Sequence, residues 1–349
     1  MGYGEKCMKA AVYYGVNDVR IQKMPEPEIK KDEVLIRVRA CGVCASDFRN
    51  VKIRKSFYIK PPIILGHEIA GEIVKVGDEV NEFKEGERVV IAPGIGCGKC
   101  MYCLTGKDNL CKKRITIGAN INGGFAEYIK LPKTYFRGII PFTKDLTFEE
   151  AALTEPLSTC LHGMLRAGVK IEDIVVILGA GPIGLLHIQL AKILGAGRII
   201  VCEAVEERIK MAQNLGAETV NIKEEEPIKK IEELTYREKA DEVIIAVGST
   251  EAINQGLKMV KDGGTVIIFG GVPEGATIQI DPNIIHYSEI NVTGSYDATL
   301  VEFKKALKLI SHKKVNTGML ISHILPLDRI MDAFNLMERR ECIKVVVTP

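Results

Sequence analysis

The stretch IVVILGAGPIGLLHIQLAKILGAGRIIVCEA, residues 174–204, joins two β-branched runs through a glycine-rich turn and a helical pattern. Gly179, Gly181 and Gly184 form G-x-G-x-x-G directly after the first run. In this context the first glycine makes a tight turn, the second lets backbone approach a pyrophosphate, and the third lets helix and strand pack closely. The stretch predicts a strand–helix–strand unit that binds a dinucleotide.

The residues around this turn indicate which dinucleotide binds. Pro182 and Ile183 lie in the turn, where the helix N-terminus offers unpaired N–H groups to the phosphates. Glu203 ends the next strand, where an acid accepts hydrogen bonds from the adenosine ribose and repels a 2′-phosphate. We therefore expect NAD rather than NADP, with Arg208 near the adenine. The alternative is an ordinary glycine-rich turn, which the acid and the strand–helix context disfavour.

The strand–helix pattern continues only on the C-terminal side of this stretch. EVIIAVG (242–248) and TVIIFGG (265–271) are further β-branched runs with helical patterns between them, which predicts an α/β fold with a doubly wound parallel sheet. Earlier runs such as VLIRVRA (34–40) and GEIVKV (71–76) are short and broken by Gly, Pro and charges. A chain of 349 residues is long enough for two domains.

Composition excludes several classes of protein. Lys and Arg number 47 against 45 Asp and Glu, so a net charge of +2 predicts neither a nucleic acid nor an anionic membrane as partner. No apolar run reaches the roughly 18 residues that span a bilayer, and the N-terminus lacks the apolar stretch of a secretory signal. We expect a cytoplasmic protein, in which clustered cysteines indicate metal binding rather than disulfides.

Four of the ten cysteines lie in CGKCMYCLTGKDNLC, residues 97–111. Four thiolates on a short glycine-containing loop close a tetrahedral zinc shell and leave no position for substrate. An iron–sulfur cluster and a nucleic-acid-binding ribbon are the alternatives, but the second would need a basic patch. We predict a structural zinc in a lobe spanning about 94–114, with these ligands: Cys97, Cys100, Cys103 and Cys111.

A second group of possible ligands lies earlier in the chain. Cys44, His67 and Glu68 are a thiolate, an imidazole and a carboxylate, which are the ligand types that zinc takes. Three protein ligands with one open position make a catalytic site, where zinc polarises a substrate oxygen and lowers the pKa of an alcohol or water. The alternative is a core histidine beside a small buried cysteine, which a neighbouring nicotinamide site disfavours.

These motifs occur in one order along the chain: GVCASD (42–47), GHEIAG (66–71), the four-cysteine lobe, GGFAEY (123–128), EPLSTCLHG (155–163) and GAGPIG (179–184). Together they resemble the zinc-dependent medium-chain dehydrogenase family, the alcohol and polyol dehydrogenases, over nearly the whole chain.

The resemblance implies an architecture. A GroES-like, β-rich catalytic domain is expected at residues 1–155, a Rossmann domain for NAD at 156–294, and a return to the catalytic domain at 295–349. The family places its active site in the cleft between the domains. It also forms homo-oligomers, among which a tetramer is favoured here over a dimer.

The resemblance also implies roles at the catalytic zinc. Cys44 and His67 match zinc ligands, and Glu68 matches a glutamate that binds the metal or lies beside it. Glu155 falls where alcohol dehydrogenases have a cysteine ligand and sorbitol-type enzymes have glutamate, so it is expected to ligate directly or through water. This glutamate favours a polyol dehydrogenase.

Three further positions match the family's motifs. Ser46 matches the hydroxyl that passes the substrate proton outward, and Asp47 matches the carboxylate that orients the zinc histidine. Lys344 falls where relatives place a basic residue on the cofactor pyrophosphate. The alternative for Lys344 is a surface lysine that flanks a strand.

Two positions depart from the family pattern. Arg49 replaces the histidine that ends the proton relay in many relatives, and a guanidinium cannot act as a base. Ser295 replaces an arginine that helps sorbitol dehydrogenases bind their substrate. Arg49 also begins a basic segment with Lys52, Arg54 and Lys55, which is either a solvated loop or a site for a phosphorylated or acidic polyol.

The function expected from these residues is the NAD-dependent oxidation of a secondary alcohol on a polyol or polyol phosphate to a ketone, with two zinc ions per chain. The first rival is L-threonine 3-dehydrogenase, whose members usually read CGTD where this chain reads CASD. A butanediol-type dehydrogenase is the next rival. A zinc-stabilised, NAD-binding regulator without turnover is the alternative outside enzymes.

Overall fold

The computed structural model describes residues 6–53 and 59–349, so Arg54 and Lys55 of the basic segment lie outside the described residues. The chain forms two compact units. The first comprises Met1–Ser158 and Thr299–Pro349, and the second comprises Thr159–Ala298. The boundaries predicted from the sequence stand a few residues earlier at both crossings.

The described residues form strands in this order: β1 Cys7–Gly15, β2 Asp18–Pro25, β3 Glu33–Gly42, β4 Ile63–Ile64, β5 Glu68–Val76, β6 Arg88–Ile91, β7 Gly94–Ile95, β8 Ile115–Thr116, β9 Tyr128–Pro132, β10 Ile139–Pro141, β11 Ile174–Leu178, β12 Arg198–Glu203, β13 Glu218–Asn221, β14 Ala240–Ile245, β15 Val260–Ile268, β16 Asn291–Gly294, β17 Ile321–Pro326 and β18 Lys344–Thr348.

The α-helices are α1 Ala45–Phe48, α2 Met101–Leu104, α3 Phe148–Ala152, α4 Thr154–Ala167, α5 Pro182–Leu194, α6 Glu206–Asn214, α7 Pro227–Leu234, α8 Thr250–Met259, α9 Pro282–Tyr287, α10 Leu300–Ser311 and α11 Ile330–Glu338. Short 3₁₀ turns and one π-helical turn, Arg49–Ile53, complete the regular structure of the described residues.

The second unit is built on one parallel sheet, with strand order β13-β12-β11-β14-β15-β16. Its central strands are buried on both faces, as Val176, Ile200 and Val243 show with no exposed surface, which is why their sequences are uninterrupted β-branched runs. The strand order reverses between β11 and β14, and ligands of such sheets bind at that switch point. The prediction of a doubly wound, Rossmann-like sheet is confirmed.

The first unit is rich in antiparallel strands. Its largest sheet has the order β10-β6-β5-β3-β18-β17, with β9 also paired to β3. The last strand of the chain, β18, pairs antiparallel with β3, so the C-terminal segment completes the sheet that the N-terminal segment begins. This pairing explains why the residues after Thr299 belong to the first unit.

Helix α5 is fixed at both ends by residues suited to those positions. Gly181 caps its N-terminus and Pro182 occupies the first turn, where its missing N–H costs nothing. Gly195 ends the helix with φ of 93°, a left-handed conformation that glycine adopts without strain. The helix therefore begins directly at the predicted phosphate turn.

A histidine on α5 lies in the core of the second unit. His187 has no exposed surface, and neither ring nitrogen has a hydrogen-bond partner among the described residues. Its ring packs edge-to-face on Phe269, with centroids 4.8 Å apart. Burial lowers the pKa of His187 to about 3, so the ring is neutral near pH 7.

We predict that His187→Leu reduces the acid sensitivity of the second unit. An unfolded histidine has a pKa near 6.5. As pH falls from 6.5 toward 3, the unfolded chain therefore binds a proton at this histidine while the buried His187 of the folded chain stays neutral. At pH 5 this costs about 2 kcal/mol of stability, which the leucine variant would not lose. Thermal unfolding at pH 7 and pH 5 measures the difference, and His286→Leu, at an exposed histidine, is the control. Equal acid losses in His187→Leu and wild type would contradict the assignment.

Candidate metal centres and dinucleotide site

The predicted catalytic ligands lie together in the first unit. Cys44 caps the N-terminus of α1, and its Sγ accepts a hydrogen bond from the Ser46 N–H at 3.5 Å. His67 and Glu68 stand at the start of β5. One ligand atom from each of Cys44, His67 and Glu68 lies within 4.8 Å of the others. Two segments that are distant in sequence therefore bring sulfur, nitrogen and oxygen donors to one place.

Asp47 is placed to orient the imidazole. It is buried; Oδ2 accepts the Cys44 N–H at 3.2 Å, and Oδ1 lies 3.6 Å from His67 Nδ1. Burial lowers the pKa of His67, but the Asp47 carboxylate and the Cys44 thiolate raise it, so the net pKa is well above its usual value. These surroundings favour a positive charge, and Nε2 is the nitrogen left to bind a metal.

Glu68 forms a buried ion pair with Lys344, the first residue of β18. Lys344 Nζ donates to Glu68 Oε1 at 2.6 Å and to the Val43 carbonyl at 3.0 Å. Burial lowers the pKa of Lys344, but the neighbouring Glu68 carboxylate raises it. The net pKa lies above its usual value, so the ammonium stays charged. The alternative of a surface lysine is wrong, since only 5% of Lys344 is exposed. Contact with a pyrophosphate remains a prediction.

The second oxygen of Glu68 is a candidate metal donor. Glu68 Oε2 is buried and has no hydrogen-bond partner among the described residues. A Cβ on Gly42 would lie 1.9 Å from this oxygen, so only glycine fits beneath the carboxylate. The sequence analysis did not single out Gly42 as a site residue, although it begins the GVCASD motif.

Glu155 and Ser46 lie in the same unit. Glu155 is buried in the first turn of α4, and its charge contributes to the raised pKa of Lys344. It does not belong to the group formed by Cys44, His67 and Glu68 within 4.8 Å. Direct ligation by Glu155 and proton transfer by Ser46 therefore stay predictions.

The four lobe cysteines form the second cluster of ligands. Cys100 Sγ lies 3.6 Å from Cys103 Sγ and 3.7 Å from Cys111 Sγ, and all four ligand atoms lie within 4.8 Å of one another. Zinc–sulfur bonds of 2.3 Å in a tetrahedron give sulfur–sulfur separations of about 3.8 Å. The lobe therefore has the dimensions of a closed tetrahedral zinc site.

Backbone groups support thiolates in this lobe. Cys111 Sγ accepts the N–H of Cys97 at 3.3 Å and that of Lys113 at 3.4 Å. Hydrogen bonding from the Lys99 N–H lowers the pKa of Cys97 to about 6, whereas burial raises that of Cys103 to about 11. A metal that binds all four sulfurs must displace the proton of Cys103.

In the second unit the glycine turn has the form that its sequence predicts. Gly179 has φ of 102°, and its N–H donates to the Cys202 carbonyl at 2.8 Å. A Cβ on Gly184 would lie 1.9 Å from the Gly179 carbonyl oxygen. Gly181 and Pro182 then begin α5, whose first N–H groups have no partner within the helix. The turn forms a backbone cradle for an anion at the switch point of the sheet.

Glu203 lies beside this turn at the end of β12. Its Oε2 accepts the N–H of Ala180 at 2.8 Å, and its Oε1 accepts those of Ala204 at 2.7 Å and Val205 at 3.1 Å. The carboxylate therefore joins the glycine turn to the start of α6, a structural role that the sequence analysis missed. Each carboxylate oxygen has two lone pairs, so at least one remains for a ribose hydroxyl.

Arg208 also lies close to the turn. Its Nη1 is 4.0 Å from the position that a Cβ on Gly181 would take. The guanidinium is therefore beside the phosphate cradle, while stacking on adenine stays a prediction.

The basic segment and the two departures from the family pattern, Arg49 and Ser295, have different surroundings. Lys52 donates to Asn335 at 2.9 Å and to Glu338 at 3.0 Å, so α11 accounts for this charge of the basic segment. Arg49 is exposed. Ser295 Oγ is buried without a hydrogen-bond partner among the described residues.

We predict that Lys344→Met strongly destabilises the first unit, by about 3–5 kcal/mol, because it leaves Glu68 charged, buried and unpaired. Lys344→Met combined with Glu68→Gln should recover most of that loss. Thermal unfolding of wild type, the two single variants and the double variant, all compared at equal zinc content, measures this coupling. Wild-type stability in Lys344→Met alone would show that the pair contributes nothing.

No helix among the described residues is both long and apolar enough to cross a membrane. Two family models match the chain: the alcohol dehydrogenase GroES-like domain over residues 30–141 and the zinc-binding dehydrogenase over residues 182–312. The chain is 35% identical to a sorbitol dehydrogenase of Bacillus subtilis, over 98% of this chain and 97% of that protein. It is also 35% identical to an L-threonine 3-dehydrogenase of Bacillus licheniformis, over 93% and 94% of the two chains.

Solved structures give the same result. A putative zinc-binding dehydrogenase of Sinorhizobium meliloti, bound to NADP, matches 99% of this chain and 100% of its own with a TM-score of 0.92 and 32% identity. The metal-ligand clusters, the glycine turn and these full-length similarities agree: the chain belongs to the zinc-dependent medium-chain dehydrogenase family, with a GroES-like unit and a Rossmann unit.

Proposed function

We propose that this protein oxidises a secondary alcohol of a polyol or polyol phosphate to a ketone, reversibly, with NAD as hydride acceptor. The observation that carries the proposal is the group of Cys44, His67 and Glu68, whose donors match a catalytic zinc site and whose Glu68 Oε2 lacks a partner among the described residues. Full-length similarity to a sorbitol dehydrogenase supports the substrate class.

The residues of the first unit have distinct roles in this proposal. Cys44 and His67 would hold the zinc, with a carboxylate from Glu68 or Glu155. When bound there, zinc supplies a Lewis acid that lowers the pKa of the substrate alcohol. Asp47 fixes the imidazole through Nδ1, and Ser46 carries the alcohol proton away from the site. Since Arg49 cannot accept a proton, the relay ends in water at the cofactor ribose.

The residues of the second unit bind and orient the cofactor. The turn at Gly179, Gly181 and Gly184 receives the pyrophosphate at the start of α5. When bound, NAD supplies the C4 position that takes the hydride. Glu203 favours NAD because its carboxylate repels a 2′-phosphate. Arg208 has the opposite charge, and the similar dehydrogenase of Sinorhizobium meliloti binds NADP, so both cofactors belong in the assay.

The structure leaves fewer candidate residues for binding a substrate phosphate than the sequence indicates. Lys52 forms an ion pair with Glu338 at 3.0 Å, whereas Arg49 is exposed. A guanidinium suits phosphate through its bidentate geometry. Arg49 is therefore the residue that we assign to a phosphate group of the substrate, if the substrate carries one.

L-threonine is the second candidate substrate. The sorbitol and L-threonine dehydrogenases have the same 35% identity to this chain, so overall similarity does not separate the two. The CASD sequence at Cys44 favours the polyol over L-threonine, for which CGTD is usual. A regulator without turnover is disfavoured, because Cys44, Ser46 and Asp47 keep the residue types that catalysis needs.

The assembly is proposed from the family resemblance, and the location from the sequence composition. We propose a homo-oligomer in the cytoplasm, a tetramer in preference to a dimer, with a small molecule as substrate and no nucleic-acid or membrane partner.

We predict NADH formation at alkaline pH with at least one free or phosphorylated polyol. The panel comprises sorbitol, xylitol, ribitol, galactitol, inositol, butanediol and L-threonine with the available phosphate esters, each with NAD and with NADP. A rate on L-threonine alone would contradict the polyol assignment, and a preference for NADP would contradict the role of Glu203. A preference for phosphate esters that Arg49→Ala abolishes would support a phosphorylated substrate.

We predict that the two cysteine sites respond differently to substitution. Cys44→Ser should lose one zinc and nearly all activity while retaining most thermal stability, because the site is open and catalytic. Cys103→Ser should lose the other zinc and much of its thermal stability, because a structural site contributes folding free energy. Zinc analysis, melting temperature and activity measure the contrast. Full activity in Cys44→Ser would contradict the mechanism.

A further inference from the structure

A group of carboxylates lies at the edge of the Rossmann-like sheet opposite the glycine turn. Glu242 is in β14, paired with Val175 near the start of β11 and with Thr265 of β15. The glycine turn follows the other end of β11. Glu242 is therefore remote from the dinucleotide cradle within its own unit, and neither the family resemblance nor the proposed reaction uses it.

Glu242 places an ionisable carboxyl beside the apolar residues of a buried strand. Its neighbours Val243 and Ile244 have no exposed surface, and Glu242 itself is only 6% exposed. When its carboxyl is ionised, Oε2 is buried without a hydrogen-bond donor among the described residues. An unpaired carboxylate in such a position is costly, so the site calls for a proton or a cation.

A pocket adjoins this carboxyl. It has a volume of about 330 Å³, and Asp173 and Asp241 line it together with Glu242. Ala167, the last residue of α4, also lines it. Helix C-termini present carbonyl oxygens without intrahelical partners and carry partial negative charge. The pocket therefore combines three acidic side chains and a helix end of the same sign with two lysines, Lys170 and Lys261.

Asp173 and Glu242 have no ion-pair partner of their own among the described residues, although the charge of Lys261 acts on both. Asp241 contacts Lys261 in an ion pair and accepts the Ile174 N–H at 2.8 Å. Asp173 Oδ2 accepts the Lys170 N–H at 2.6 Å.

The surroundings of Glu242 favour the protonated form of its carboxyl. Burial raises the pKa of Glu242 to about 8, with Asp173 and Asp241 adding to the rise and Lys261 opposing it. Asp173 lies within hydrogen-bond reach of Glu242, and such a bond between carboxyls requires a proton. At alkaline pH that proton leaves, and two like charges face each other.

We infer that this pocket binds a hard divalent cation, magnesium or calcium, through the carboxylates of Asp173 and Glu242. Both cations prefer oxygen ligands, and magnesium in particular is often bound by one or two carboxylates with several retained waters. A pocket of about 330 Å³ has room for those waters. The site differs in chemistry from the two cysteine-containing centres, which suit zinc.

The cation and the proton of Glu242 compete for the same carboxylate. Binding should weaken as pH falls through the pKa of about 8 and strengthen above it. The bound ion would connect β14 to the residues before β11, so it should also raise the melting temperature of the second unit.

The experiment uses the full-length, zinc-loaded protein. Calcium chloride or magnesium chloride is titrated by calorimetry at pH 9 and pH 6.5, with sodium chloride at matched ionic strength as control. The variants are Glu242→Gln and Asp173→Asn, and Glu238→Gln is the matched control at an exposed carboxylate of the same unit. The melting temperature is recorded for every protein with and without the cation.

We expect wild type and Glu238→Gln to bind one of the two cations at pH 9, and about tenfold more weakly or worse at pH 6.5. Glu242→Gln and Asp173→Asn should each weaken binding at pH 9 by at least about tenfold, equivalent to 1.4 kcal/mol. In the absence of cation, Glu242→Gln should melt higher than wild type at pH 9, because one of two facing charges is gone. That result also shows that the variant folds.

Two outcomes would overturn the inference. If wild type at pH 9 shows no cation-specific heat or melting shift up to 10 mM, the pair holds a proton only. Binding that both variants retain at full strength would place the cation elsewhere. Neither outcome affects the proposed dehydrogenase activity, because the activity assay does not depend on this pocket.

Discussion

The buried ion pair between Lys344 and Glu68 is the interaction on which the catalytic unit depends. It joins the last strand of the chain to the start of β5, and its third contact, the Val43 carbonyl, precedes the candidate zinc ligand Cys44. A buried charge without its partner is strongly destabilising. The pair therefore ties the C-terminal strand to the candidate metal ligands, and the second oxygen of Glu68 has no hydrogen-bond partner among the described residues.

Glu203 has a comparable position in the Rossmann-like unit. One carboxylate connects the middle of the glycine turn to the start of α6. The same group that is expected to recognise ribose thus also holds the backbone that is expected to receive the pyrophosphate. In both units the residue expected to meet a ligand is itself held by charge-assisted hydrogen bonds, which are shorter and stronger than neutral ones.

The sequence predicts the parts of this protein in which function depends on local spacing. Gly179 and Gly184 are five positions apart, and the lobe cysteines span one loop, so their geometry follows from a single turn each. Lys344 and Glu68 are 276 positions apart, and no local pattern shows that they meet. Lys52 likewise looks free in sequence and is engaged by α11. Glu242 stands in a β-branched run that predicts a buried strand correctly but gives no sign of Asp173.

The central claim is that one chain carries an open zinc site at Cys44 and a closed zinc site at Cys97. Anomalous diffraction from crystals of the zinc-loaded protein, recorded on both sides of the zinc absorption edge, tests it most directly. The account predicts two zinc peaks per chain, one contacting Cys44 and His67 and one centred among the four lobe cysteines. A single peak in the lobe, with Cys44 and His67 free of metal, would contradict it.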